Sequence, residues 1–541
     1  MWRVVVMLVG LNGLGCSGSE ALRADAATVS ETEDTSPSRE TEDTSPSPET
    51  EDASPSPETE DSSPSPETED ASPSPETEDT SPSPETEDAS PSPEAEDSSP
   101  DDTSPGDALI DDASTEVTGL DDVSVGDASV VVRGRIRIEQ RRPNAARDAL
   151  GPSALAPLAG REVVLMAAGS PLGVVTTGSD GTFSLAIASA PLLPVTATVV
   201  AASAVASPDD LPTITVLDGL DTAFPTGPGQ PLDSQRVWAW TFTSPSADLG
   251  DRTITAAQGS GALTLLADLE AAHARLVALA AANGLIDDAT DLPNLAVLWH
   301  PSRTPPCLSC YFPAGWGPFR LVDAQGAVLT VFDRGIFLSG ANAAPHHWTP
   351  SLSGHELGHY ALEVLSRLPS SSGAHSWNTR TRPSLAWSEG FATFFAQWSL
   401  SAVNPDSRFF TKQQNIEYWV DLERIGTSPS TDDTSLAITF PMPQSTQPMT
   451  QDMNEAVIAA ILWDLLDPID DVVDLDTLAH GDEALARVSL PRLAVGDVDR
   501  GASGPDLVDY IDALVCFGLT WAELQPEMMG FPWTGPAICP P

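Results

Sequence analysis

The residues best suited to chemistry in this chain are two histidines and a glutamate within Gly354-His355-Glu356-Leu357-Gly358-His359. The flanking residues are apolar at helical spacing, and residues four apart on a helix lie on one face. His355 and His359 can therefore present both imidazoles to one metal ion, with Glu356 beside a water molecule at that ion. Because the chain has only 8 histidines, we favour a metal site over the alternative of a buried helix with two incidental histidines.

A metal site of the catalytic kind takes three protein ligands and leaves one position open. Metzincins place glycine and histidine three and six residues after the second histidine, but this chain has Leu362 and Leu365 there, which excludes that class. A carboxylate on the next helix is the other solution. Trp387-Ser388-Glu389-Gly390-Phe391 offers one and resembles the Asn-Glu-Gly-Phe-Ala stretch of alanyl-type aminopeptidases, with Ser388 in place of Asn. It is also similar to the corresponding glutamate-containing stretches of fungalysin and thermolysin.

The two stretches together resemble the gluzincin class of zinc metallopeptidases. The resemblance implies a zincin-like fold in which His355, His359 and Glu389 hold Zn²⁺. It also implies that Glu356 takes a proton from the attacking water and passes it to the leaving amine. Thr393, one turn after Glu389, corresponds to a polar residue that steadies a ligand histidine.

The residue that stabilises the oxyanion is not identified by spacing. Tyr418, His480 and His375 are candidates, although each is also compatible with an ordinary surface or core role. His375 falls in a Ser-, Gly- and Asn-rich stretch, residues 369–383, which predicts a surface loop. The Gly-x-Met-Glu-Asn motif of aminopeptidases is absent, so the sequence favours an endopeptidase acting on a peptide or protein substrate.

The N-terminus predicts export. Val4–Leu11 is an apolar run too short to span a bilayer. It leads to Gly13-Leu14-Gly15-Cys16, which resembles a bacterial lipobox. The resemblance implies a signal peptide over residues 1–15 and a lipid on Cys16 that anchors the protein to the cell envelope. Ser17 after the cysteine implies the outer membrane, and a plain secretory leader is the alternative.

Residues 16–128 predict a disordered stalk. The stretch from Glu20 to Asp127 has 35 acidic and 2 basic residues, and a nine-residue Pro/Ser/Glu unit repeats between Glu31 and Pro100. Such a composition buries too little apolar surface to offset the entropy of ordering. The whole chain has a net charge of −54, which argues against a nucleic-acid partner.

Residues 129–245 predict a small β-sandwich followed by a strand region. Pro157–Leu165 and Ser179–Leu185 resemble the carboxypeptidase regulatory-like domain, an accessory module in that family. Asp180-Gly181 between two β-type runs predicts a hairpin. We interpret the domain as a spacer, with carbohydrate or protein binding as its alternative role.

Residues 246–541 predict the zincin-like domain, and the fold class overall is α+β. A helical pattern from about Gly261 ends at Asn283-Gly284, three short strands follow, and a helix over Asn454–Asp467 indicates a helical C-terminal subdomain. The simplest pairing of the late cysteines in an exported protein is Cys307–Cys310 and Cys516–Cys539. The alternative for the whole chain is a non-catalytic surface-binding protein with a degenerate peptidase fold.

Overall fold

The structure is a computed structural model of the 541-residue chain. The residues that it describes are 129–145, 149–205, 212–219, 227–234, 236–322, 325–342, 345–369, 373, 375, 379–400, 408–413, 416–422, 452–465, 504–520 and 539. The predicted signal peptide and stalk therefore lie outside the described residues.

The described residues mix sheets and helices, which confirms the α+β class at this level. The strands are β1 Val130–Gln140, β2 Ala154–Pro157, β3 Glu162–Ala167, β4 Ser170–Thr176, β5 Thr182–Ile187, β6 Val195–Val200, β7 Ile214–Leu217, β8 Leu232–Ser234, β9 Ala239–Ser244, β10 Asp248–Ile254, β11 Leu295–Trp299, β12 Ser309–Phe312, β13 Phe319–Val322, β14 Val328–Phe332, β15 Gly335–Leu338, β16 Arg380–Thr381, β17 Arg408–Gln413, β18 Ile416–Asp421 and β19 Met453–Asn454. The helices are α1 Gly261–Ala282, α2 Pro350–Leu365, α3 Pro383–Leu400, α4 Glu455–Asp464 and α5 Leu507–Phe517.

Two sheets form the first part of the described chain, and we call them the N-terminal sheets. One has the order β4-β3-β6-β9 and is antiparallel throughout. In the other, β1 pairs with β2 and β5 in antiparallel fashion and with β10 in parallel. In β1, the side chains of Val132, Ile136 and Ile138 are buried and those beside them are not, as expected for a strand with one face in the core.

The hairpin predicted at Asp180-Gly181 is wrong. β4, before the turn, pairs with β3, whereas β5, after the turn, pairs with β1 in the other sheet. The turn itself forms as its residues predict: Asp180 accepts hydrogen bonds from the backbone and hydroxyl of Thr182, and Gly181 has a φ of 80°. The residues of the turn therefore reverse the chain direction, but they do not determine which strands β4 and β5 pair with.

Strand pairing crosses the expected boundary between residues 245 and 246 in both directions. β10, which follows that boundary, completes the sheet of β1. In return, β7 and β8 pair in parallel with the later strands β11 and β13. A single hydrophobic cluster also runs from the N-terminal sheets into the helices.

The helices α1, α2, α3 and α4 pack together, and we call them the helical layer. α1 begins and ends close to its predicted limits, because Asn283 ends the helix and Gly284 follows with a φ of 68°. Almost every side chain of α3 is buried, so this helix contacts neighbours on all sides. In the part of the chain that is described, no helix is both long and apolar enough to cross a membrane.

Candidate metal centre

The glycines in and before the His-Glu-x-x-His stretch let α2 and α3 approach closely. α2 begins with Pro350 in its first turn, a position that suits proline. A Cβ added to Gly358 would lie 2.7 Å from the Cα of Ala392, and one added to Gly354 would lie 3.1 Å from the Cα of Ala396. The lack of side chains at these two positions brings the backbone of α3 against the face of α2 that carries the histidines.

Three predicted ligands converge between these helices. The Nε2 atom of His355 lies 3.1 Å from Oε2 of Glu389, and the Nε2 atom of His359 lies 3.4 Å from the same oxygen. The ligand atoms of the three residues all lie within 4.8 Å of one another. Ligand atoms about 2.0–2.1 Å from a tetrahedral ion are about 3.3 Å apart, so this spacing fits a single small cation.

Each of the two histidines has a hydroxyl group at its other ring nitrogen. The Nδ1 atom of His355 lies 3.0 Å from Oγ1 of Thr393, and the Nδ1 atom of His359 lies 3.2 Å from Oγ of Ser388. A hydroxyl oxygen that accepts the Nδ1 proton leaves the Nε2 lone pair free for a metal ion. The hydroxyl groups therefore place both rings with Nε2 towards Glu389, and the donor set fits a metal ion that would take the place of the protons there.

The acidic groups of the site are buried and differ in their protonation behaviour. Burial raises the pKa of Glu356, and the nearby imidazoles oppose this only in part. For Glu389 burial acts in the same direction, but the charge of His359 and hydrogen bonds from both histidines hold its pKa well below the usual range. Glu389 is thus a carboxylate, whereas Glu356 has a raised proton affinity, and this difference suits a ligand and a base respectively.

His375 also reaches the site. Its Nε2 atom lies 3.6 Å from Oε2 of Glu389, and its Nδ1 atom lies 2.8 Å from Oε2 of Glu455, the first residue of α4. Burial lowers the pKa of His375, but the hydrogen bond to Glu455 and the charge of Glu389 outweigh it and raise the pKa to about 9. α4 lies this near because Gly390 of α3 has no side chain: a Cβ there would lie 2.6 Å from the carbonyl oxygen of Glu455.

The other predicted site residues are placed only in part. Tyr418 lies on β18 opposite Thr411 of β17, and only its backbone position is described. His480 and Cys16 lie outside the described residues. Both predicted cysteine pairs, Cys307–Cys310 and Cys516–Cys539, are disulfide-bonded.

Two residues of the site were missed by sequence reasoning. In the sequence Ser388 is only a departure from the gluzincin pattern, yet its hydroxyl is the partner of His359. The sequence places Glu455 on a helix and indicates no role for it. Its position after Asn454, whose side chain caps α4, indicates a first helical turn but gives no signal that this turn meets His375.

Comparison with protein-family models finds none that matches this chain, and comparison with curated proteins finds no match either.

Proposed function

We propose that this chain is a zinc-dependent peptidase of the gluzincin type, an endopeptidase displayed on the cell envelope through a lipid on Cys16. The observation that carries the proposal is the convergence of His355, His359 and Glu389 from two helices, with each histidine fixed by a hydroxyl at Nδ1. A buried carboxylate, Glu356, completes the group next to them.

The chemistry divides between the ion and the protein. A bound zinc ion supplies Lewis-acid activation of water and of the scissile carbonyl group. Glu356 accepts the proton that the attacking water releases and delivers it to the leaving nitrogen. Its buried position supports this role, because burial raises the pKa of its carboxyl group and so strengthens it as a proton acceptor.

The ligand set favours zinc over the harder divalent cations. Two imidazole nitrogens and one carboxylate oxygen make a site that suits zinc, whereas magnesium and calcium prefer oxygen ligands alone. Since Thr393 and Ser388 are uncharged, a bound ion of charge +2 is balanced first by Glu389, and then by Glu356 when it is ionised.

The test compares the full-length protein with Glu356→Gln, using casein cleavage and zinc content together. We expect the variant to keep its zinc and to lose activity by about 10²- to 10⁴-fold, the contribution usual for a general base. Glu270→Gln is the matched control, since Glu270 lies on α1 and pairs with Arg161 outside the site. Equal activity of wild type and Glu356→Gln would contradict the mechanism. Absence of zinc from the wild type would favour the alternative of a non-catalytic binding protein.

The envelope location needs its own experiment. Cells fed with a fatty-acid probe should label the wild-type chain and leave Cys16→Ser unlabelled. A wild-type protein that carries no label and is released to the medium would contradict lipid anchoring.

A further inference from the structure

We propose that His375 is a displaceable fourth ligand, which closes the metal centre in the resting protein and leaves it when substrate binds. The inference rests on the proposed function, because it assigns a role at the same metal centre. It adds a residue from the segment between α2 and α3 to the ligands that the two helices provide.

Three imidazoles at the metal centre share one arrangement. In His355, His359 and His375, the Nδ1 atom has a side-chain oxygen 2.8 to 3.2 Å away, and the Nε2 atom faces Oε2 of Glu389 at 3.1, 3.4 and 3.6 Å. A histidine placed by chance would have no reason to repeat both features. The Nδ1 partner of His375 is the carboxylate of Glu455, whereas the other two histidines have a hydroxyl group there.

The carboxylate of Glu455 makes His375 a suitable metal ligand. A carboxylate that accepts the Nδ1 proton of an imidazole leaves Nε2 as a basic, correctly oriented ligand, and this carboxylate–histidine–metal arrangement recurs at zinc sites. Glu455 is well placed to act this way, since its side chain is only 7% exposed and its Oε2 atom lies 2.8 Å from His375. The pair therefore orients His375 with its Nε2 atom towards Glu389.

A fourth ligand would close the metal centre, so it must be able to leave. Three nitrogens and one oxygen make a closed tetrahedral set, whereas a catalytic ion needs one open position. Of the four residues, His375 is the one suited to leave, because its side chain is 34% exposed and those of the other three are 11–18% exposed. It also lies outside α2 and α3, which hold the others.

His375 must move slightly to bind the ion. It is not one of the three residues whose ligand atoms all lie within 4.8 Å of one another, although its Nε2 atom lies 3.6 Å from Oε2 of Glu389. Its ring must therefore turn towards the two helical histidines to bind the ion. A ligand that binds by such a turn can also be displaced by the reverse turn.

The experiment measures metal binding in the full-length protein, with His375→Ala, Glu455→Gln and the control His300→Ala. The readouts are zinc affinity by chelator competition, the visible absorption spectrum of the cobalt(II)-substituted protein, and peptidase activity at saturating zinc. We expect His375→Ala to lower zinc affinity by about tenfold or more and Glu455→Gln by less. The cobalt spectrum of His375→Ala should change as water replaces an imidazole, and its activity at saturating zinc should rise. His300, whose Nδ1 contacts Ser302, should be neutral when replaced.

Unchanged zinc affinity and an unchanged cobalt spectrum in His375→Ala would overturn the inference. Loss of activity in that variant with the cobalt spectrum unchanged would also overturn it and would indicate a substrate contact instead. Neither result would change the expected difference in activity between wild type and Glu356→Gln. Failure of this inference is therefore distinguishable from failure of the proposed function. If His375→Ala unfolds, as judged by its thermal transition, Glu455→Gln provides the same readouts.

Discussion

The helical layer and the N-terminal sheets differ in where their charged side chains lie. In the sheets, ion pairs lie at the surface: Arg133 and Asp248 are 2.9 Å apart with side chains 67% and 50% exposed. In the helical layer, Glu356 and Glu389 are buried among apolar side chains. Burying a carboxylate is unfavourable unless partners compensate, so Glu389 depends on the histidines beside it, whereas the exposed pair in the sheets is stabilised by water as well.

The largest effect that we predict is a pH-dependent loss of stability caused by a buried histidine of the helical layer. Burial lowers the pKa of His273, on α1, from 6.5 to about 4. Its folded-state pKa lies below its unfolded-state value, so its contribution to stability is complete above pH 6.5 and is lost as the pH falls towards 4. The loss corresponds to about 3 kcal/mol.

Denaturant unfolding of wild type and His273→Phe between pH 7 and pH 4 measures that loss. The free energy of unfolding of the wild type should fall more steeply with pH than that of the variant, whose ring does not titrate. Parallel pH profiles would show that His273 is not held in its neutral form.

A second prediction tests the close approach of α2 and α3. Gly358→Ala should lower the free energy of unfolding by about 1–3 kcal/mol, since the added methyl group forces two packed helices apart. Zinc affinity should fall as well, because the same contact aligns Glu389 with the histidines. Gly227→Ala is the control, since a Cβ there meets nothing within 4 Å. Equal stability of the two variants would contradict the packing argument.

A third prediction tests the hydroxyl partners of the ligand histidines. Thr393→Val keeps the shape of the side chain but removes the oxygen 3.0 Å from Nδ1 of His355. Zinc affinity should fall by about 10- to 100-fold, the effect usual for such partners. Chelator competition gives the measurement, and an unchanged affinity would show that the contact does not orient the ring.

The smallest effect is expected in the N-terminal sheets. Arg133→Ala removes an exposed ion pair with Asp248, and exposed pairs contribute little because water and salt screen them. The midpoint of denaturation and the zinc affinity should both stay within experimental error. A clear loss of stability would remove the contrast between the two regions.

The parts of the site that could be predicted from sequence are those encoded by local spacing or by a family motif. His355, His359 and Glu356 follow from helical geometry, and the roles of Glu389 and Thr393 are what the resemblance to the gluzincin class implies. Glu455 could not be predicted in the same way, because its approach to His375 depends on how α4 packs against Gly390.

The fold shows the same limit. Alternating side chains predict that β4 and β5 are strands, but they do not state which sheet each strand joins. Which strands pair depends on contacts between residues far apart in sequence. For example, β7 pairs with β11, and β8 pairs with β13. Local turn chemistry at Asp180 was therefore sufficient for the turn and insufficient for the topology.

The central claim is that side chains from two helices hold one zinc ion, and the zinc content of Glu389→Gln tests it most directly. Glutamine preserves the size of the side chain but removes the charge that binds the cation. We predict about one zinc per chain in the purified wild type, and a variant that loses its zinc to a chelator at least about 100-fold more readily. A wild type without zinc, or a variant that retains zinc with wild-type affinity, would contradict the account.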